Sequence, residues 1–143
     1  MTIRPARPED AAAIQLLNRE CLGYDYPLED TRENLERAYL DESQCILVAE
    51  LGPDVVVGYI HLQNYDTLYF DPMKNILALA VATEFRRRGI ATRLYAEAEE
   101  WAMETGASGI RLCSGAERED AHAFYRRMGF EEKKLQKNFR KSL

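Results

Sequence analysis

The stretch Leu77–Ala102, LALAVATEFRRRGIATRLYAEAEEWA, decides the fold. Leu77–Val81 is a short apolar run with polar neighbours, which suits a strand buried on both faces. Thr83–Arg88 is polar and charged. From there the apolar residues Ile90, Leu94, Ala98, Trp101 and Ala102 recur at three and four, the spacing of a helix with one buried face. The spacing predicts a helix starting at Arg88 or Gly89, so the stretch reads as strand, loop, helix.

The first turn of that helix has no Ser, Asp or Asn cap, which leaves backbone N–H groups between Arg87 and Ala91 without an obvious partner. Gly89 and Ala91 are small enough to let a bulky anion approach the backbone. The helix dipole and the run Arg86-Arg87-Arg88 both favour negative charge there. Together these features describe a pyrophosphate site.

The run Arg86-Arg87-Arg88-Gly89-Ile90-Ala91 resembles the (Gln or Arg)-x-x-Gly-x-(Gly or Ala) signature of the GNAT superfamily of N-acetyltransferases, and it follows the strand ending at Val81 at the expected distance. A second motif, Arg118–Phe130 (REDAHAFYRRMGF), resembles the family's later signature, a helix that carries Phe-Tyr and ends in Gly-Phe. Arg118 stands where the family usually has Asn. The resemblance in order and spacing covers nearly the whole chain and implies a single acetyltransferase domain over residues 1–143. The implied fold is α/β (α+β): a mixed, mostly antiparallel sheet of about six to seven strands, flanked by about four helices, with a central parallel strand pair.

The resemblance also implies the chemistry. Acetyl-CoA would be the acetyl-donating cosubstrate, transferring directly to an amine. Arg86, Arg87, Arg88, Gly89, Ile90 and Ala91 would hold its pyrophosphate, with the Thr92 hydroxyl helping. The N–H aligned with Leu79 would donate to the acetyl oxygen, the backbone of Val81 would pair with the pantetheine arm, and Tyr125 would donate a hydrogen bond to the departing thiolate. Some members carry a glutamate on the central strand as base. The aligned residue here is Asn75, which cannot act so, leaving Glu33, His61, Tyr65, Asp66 and Asp71 as candidates beside the preferred route through ordered water. A non-catalytic acyl-CoA-binding sensor or interaction domain is the alternative.

The 143 residues suit one domain. No apolar run is long enough to span a bilayer and MTIRPARPED has no signal-peptide core, so a cytoplasmic protein without a membrane partner is expected. Cys21, Cys45 and Cys113 show no paired spacing, and with His61 and His122 the only histidines, no metal is expected. The net charge of −5 is uneven: residues 1–80 hold 14 acids and 6 bases, residues 81–143 hold 10 acids and 13 bases. An anionic cofactor on the second half and a cationic small-molecule or peptide amine on the first account for this. Asp25, Glu29, Asp30, Glu33 and Glu36 supply the acids of that acceptor wall. No continuous basic face with interleaved aromatics points to nucleic acid. The family's habit of pairing through C-terminal strands leaves a homodimer open.

In chain order, Thr2–Ala6 reads as a strand and Pro8 to about Cys21 as a helix with Ile14, Leu16 and Leu17 facing the core. A second helix is expected over Thr31–Leu40, capped by Thr31, with Leu35 and Tyr39 on one face. Gln44–Glu50 and Val55–Tyr65 read as a hairpin turned at Leu51–Asp54, and Asn75–Val81 as the central strand. Gly109–Ser114 is expected to be parallel to it, since a helix joins the two. A helix from Arg118 to Gly129 follows, and a hairpin of Phe130–Lys134 with Gln136–Ser142 would close the sheet.

Overall fold

A computed structural model describes residues 1–143, which form two compact units, Met1–Cys113 and Ser114–Leu143. The first holds a sheet of five strands in chain order: β1 (Thr2–Pro5), β2 (Gln44–Gly52), β3 (Val55–Tyr65), β4 (Met73–Val81) and β5 (Ile110–Arg111). The first four are antiparallel neighbours, and β4 and β5 are parallel. The helices of this unit are α1 (Ala11–Leu17), α2 (Leu28–Tyr39) and α3 (Ile90–Glu104).

Strand alternation sorts the helices onto two faces. Val48, Tyr59 and Ala80 pack with Ile14, Leu17 and Leu35, so α1 and α2 cover one face. On the other, Gly58 lies against Leu94 of α3 so closely that a Cβ there would meet its Cδ1 at 3.3 Å and the Ala80 carbonyl at 3.0 Å. The apolar stripe of α3 behaves as its spacing predicts: Ile90, Leu94, Ala98 and Ala102 are buried. Trp101, half-buried, lies under the Lys74 ammonium at 4.2 Å, which lets that buried cation sit in the sheet with Asn64 Oδ1 as its acceptor.

The helices before the sheet depart from the expected bounds. Residues Pro8–Asp10 form a 3₁₀ turn, and after Leu17 the chain widens into a π turn over Asn18–Leu22. Leu16 is 42 % exposed, contrary to its expected core position, while Ile14 and Leu17 are buried. Helix α2 starts three residues before Thr31, because the extended backbone of Pro27 already sets its entry. Thr31 is therefore inside the helix, its hydroxyl donating to the Pro27 carbonyl at 3.0 Å, and Tyr39 points to solvent.

Asp10 ties β1 to this region. Its carboxylate takes two hydrogen bonds of 2.9 Å from Arg4, and its Oδ2 accepts the Arg7 N–H at 2.8 Å. Burial alone would raise its pKa, but the bonds from Arg4 and Arg7 outweigh it and hold the carboxyl below the usual carboxylate range. The stabilisation is thus present above the ordinary carboxylate pKa and is lost as pH falls through the lower folded one. Asp10→Ala leaves the half-buried Arg4 with Glu50 as its one remaining carboxylate and is expected to cost about 2 kcal/mol, or roughly 6 °C in Tm, checked by thermal melts at neutral pH.

The second unit holds α4 (Glu119–Arg127). Its C-terminus is a Schellman motif: Gly129, at φ 95°, donates to the Arg126 carbonyl at 3.0 Å, and the Phe130 N–H donates to the Tyr125 carbonyl at 2.9 Å. The accompanying apolar contact is between the rings of Tyr125 and Phe130, 5.5 Å apart. The expected closing hairpin is absent: residues 130–143 carry no strand, and the sheet has five strands instead of six to seven. Leu135 and Phe139, large apolar residues of that segment, are 85 % and 87 % exposed, so they supply no buried face to fix a register.

Candidate active site

The edge of β4 beside β5 is open over most of its length. Pairing with β5 stops after Lys74↔Ile110 and Asn75↔Arg111. Just beyond, His61 pairs with Ala78 and Leu62 with Ile76, so Leu77 has no partner across β3 and forms a bulge. Two hydrogen bonds bracket it. The Lys74 N–H donates towards β5, to Gly109 O at 3.0 Å, whereas the Ala82 N–H donates to Val57 O at 2.8 Å, towards β3. Both are even-numbered, and only an extra residue between them reverses the side. By the same alternation, Leu79 and Val81 turn their backbone groups to the open edge. Leu77 itself is 46 % exposed, so the run Leu77–Val81 is not buried on both faces as expected.

Beyond Val81 the chain makes a 3₁₀ turn over Thr83–Phe85 and then enters α3 through two left-handed residues, Arg87 at φ 62° and Gly89 at φ 77°. Gly89 is the N-cap of α3, and no side chain caps the helix. Left-handed residues in such a turn aim backbone N–H groups into a common hollow suited to an anion. A Cβ at Gly89 would meet nothing within 4 Å, so the space beside that residue is open. Ile90 is buried, Ala91 half-buried and Thr92 exposed. Arg86 turns back, its Nε donating to Val81 O at 3.1 Å, a carbonyl that also accepts from Cys21 Sγ at 3.4 Å. Arg88 lies over the Phe85 ring at 5.2 Å, and Arg87 is exposed. The structure thus brings the loop and the strand edge together in one continuous run.

The base candidates fare differently. Asn75 accepts from Arg111 Nη1 at 2.6 Å. His61 is bonded to Gln44 Oε1 at 2.7 Å, and burial pushes its imidazole down to about 4. Asp66, Asp71 and Glu33 are exposed, and the Tyr65 ring is under Arg111. Of the acids expected to line the acceptor site, Glu29, Glu33 and Glu36 lie on the solvent side of α2, which packs through Thr31, Leu35 and Ala38. An open cleft lined by Ile3, Leu35, Tyr39 and Trp101 shares no residue with β4 or the loop. In the second unit Tyr125 is half-buried between Phe124 and Phe130, and burial raises its phenol pKa against the opposing charge of Arg118. His122 bonds the Gly115 carbonyl at 2.9 Å, a structural contact.

The sequence pattern of the acetyltransferase (GNAT) family matches residues 11–130. The chain belongs to that family. It is an N-acetyltransferase with a mixed α/β GNAT fold. Over 131 residues the GNAT chain is 30% identical to the aminoalkylphosphonate N-acetyltransferase of Salmonella typhimurium, an overlap of 91% of this chain and 84% of the relative. A 59-residue stretch is 42% identical to an uncharacterized N-acetyltransferase of Methanocaldococcus jannaschii, covering 41% of this chain and only 26% of that relative. The fold is similar to that of the acetyltransferase AAC(6')-Iy in complex with the bisubstrate analogue CoA-S-monomethyl-acetylneamine, with a TM-score of 0.85, 19% identity, and 99% and 98% of the two chains covered.

Sequence reasoning missed the Leu77 bulge and Arg111. An arginine on a short strand carries no signal of its own, and a bulge adds one apolar residue to a run that was already apolar.

His61 gives a pH prediction. Its folded pKa lies below the ordinary value of 6.5, so below 6.5 the unfolded chain takes up a proton that the folded one refuses. Stability should therefore fall between pH 6.5 and about 4, by about 1.4 kcal/mol per unit at most. Melts of wild type and His61→Gln across that range are expected to diverge, with the variant showing the shallower slope.

Proposed function

We propose that this acetyltransferase moves the acetyl group of acetyl-CoA directly onto the primary amine of a small acceptor that arrives as an ammonium cation. The observation that carries the reading is the open edge of β4 running straight into an uncapped, glycine-started α3. Acetyl-CoA is the donor and supplies the thioester. The N–H groups at the start of α3 receive its pyrophosphate, with Arg86, Arg87, Arg88 and Thr92 around them. The Leu79 N–H donates to the acetyl oxygen and favours the oxyanion that develops there. The Val81 carbonyl is already engaged by Arg86 and Cys21, so the Val81 N–H is the group that pairs with the pantetheine arm.

The acceptor must lose a proton, since an alkyl amine with pKa ~10.4 is neutral to only about one part in a thousand at neutral pH. Asn75 is no base and His61 is a poor one, so the proton leaves through ordered water. Tyr125 remains a neutral phenol, its pKa raised by burial, and donates a hydrogen bond to the thiolate. Full transfer would already be uphill by about 2 kcal/mol at ordinary pKa values. Holding amine and thioester together supplies the larger effect, ~7 to 11 kcal/mol when the geometry is right.

The excess of acids in residues 1–80 supports an ammonium-bearing acceptor, and the relative named for aminoalkylphosphonates supports a small one. Reading 1–143 as one acetyltransferase domain accords with a family match that runs across both compact units. Three free cysteines accord with a cytoplasmic setting, and no helix is long and apolar enough to cross a membrane. The test is thiol release from acetyl-CoA with a panel of amines, beside calorimetric titration of acetyl-CoA. Release with one class supports the reading. Tight binding without release from any amine supports a non-catalytic acyl-CoA sensor instead.

A further inference from the structure

Arg111 is a half-buried cation held entirely by neutral groups. Its guanidinium lies over the Tyr65 ring at 4.4 Å, Nη1 donates to Asn75 Oδ1 at 2.6 Å, and Nη2 donates to Cys113 Sγ at 3.2 Å. None of the protein's ion pairs includes it. Arg4 gives the contrast within the same sheet: also half-buried, it is neutralised by Asp10 at 2.9 Å and Glu50 at 2.7 Å. A partly desolvated guanidinium without a carboxylate favours an anion from outside. Two of its five N–H groups are used, and stacking on Tyr65 fixes the plane of the remaining fork.

Its place on β4 gives that anion a role. Asn75 is the last residue of β4 paired with β5, and the open edge begins immediately after it. Four steps of strand separate Asn75 from Leu79, at most about 13 Å. Asn75 and Tyr65 lie on the sheet face that α1 and α2 cover, since Asn75 pairs with Gln63, and Gln63 and Tyr65 alternate in phase with Tyr59. A small molecule held by Arg111 can therefore reach the edge where the acetyl group would be presented.

We infer that Arg111 is an acceptor-specificity residue that binds an oxyanion, so that the acceptor is a short amine bearing a phosphonate, phosphate or carboxylate a few bonds from its nitrogen. This rests on the acetyl-transfer reading above. The ammonium end is the one that reacts, and the anionic end is held by the guanidinium fork.

Thiol release from acetyl-CoA is measured with 2-aminoethylphosphonate, β-alanine, propylamine and spermidine, for wild type, Arg111→Gln and Arg111→Lys. The wild type should prefer at least one oxyanion amine over propylamine by 10-fold or more in kcat/KM, and the phosphonate and β-alanine arms tell which oxyanion. In Arg111→Gln that preference should shrink by about 10- to 100-fold, mainly through KM, with partial rescue by Lys. A purely structural Arg111 would alter melting temperature without altering the preference. Propylamine or spermidine used as well as the oxyanion amines, or a preference unmoved in Arg111→Gln, overturns the inference while leaving acetyl transfer intact. Calorimetric titration of 2-aminoethylphosphonate and β-alanine into CoA-loaded protein tests it without turnover: heat from either that disappears in Arg111→Gln supports it, and no heat from both overturns it. Absence of thiol release with every amine counts against the transfer reading alone.

Discussion

Gly89→Asp is expected to raise the Kd for acetyl-CoA by about 100-fold while the protein stays folded. Two physical changes add. Gly89 has φ 77°, a conformation that costs a residue with a Cβ roughly 1–2 kcal/mol, although Asp tolerates it better than most. More important, the new carboxylate stands at the helix N-terminus, where it takes up the field and the N–H groups that we propose receive the pyrophosphate. It satisfies α3 as a cap would, so melting temperature should move little. Repulsion replaces attraction at the only uncapped N–H cluster that the β4 edge runs into. Calorimetry reads the affinity directly. An unchanged Kd would mean that the phosphates bind elsewhere, and the strand-loop-helix reading of the site would be lost with it.

Tyr125→Phe is expected to lower kcat by about 10- to 100-fold with acetyl-CoA affinity almost unchanged. The lost group is one hydroxyl. The ring remains between Phe124 and Phe130, and the Schellman motif that fixes the end of α4 uses only the Tyr125 carbonyl. Stability should accordingly be kept, which separates a catalytic effect from a packing one. Because burial raises the phenol pKa, the hydroxyl remains a donor across pH 7 to 9 and should add no step to the pH profile there. Equal losses in kcat and in cofactor affinity would show Tyr125 to be a packing residue only.

Much of this was legible from residue pattern. The hairpin of β2 and β3 declared itself through Leu51–Asp54, where Asp54 takes φ 62°, and β3 has the expected bounds Val55–Tyr65. Helix α3 was readable because five apolar residues share one face and one of them, Leu94, is wholly buried against the sheet. Several of the failures arise at irregularities a few residues long. A π turn shifts the phase after Leu17, Pro27 starts α2 early, and Leu77 adds a rung to β4. None of these changes composition, and each reassigns which side chain faces inward. The last fourteen residues, 130–143, were read as a hairpin, but most of them are polar or charged and the large apolar Leu135 and Phe139 are exposed. At the site, the loop was visible because glycine and arginine are distinctive there, whereas Arg111 acquires meaning only from Asn75 and Tyr65, distant in sequence.

The bulge at Leu77 also bears on how this chain could be altered by insertion and deletion. Because Ile76 and Ala78 keep their partners Leu62 and His61 on either side of it, excising residue 77 would leave every other side chain of β4 on its present face. The core would not notice the loss. The edge would, since a regular β4 could go on pairing with the segment after Arg111 and close the gap in which we propose the acetyl group is held. A chain without residue 77 is thus expected to keep its core and melting temperature while losing the open edge of β4 on which the proposed transfer rests.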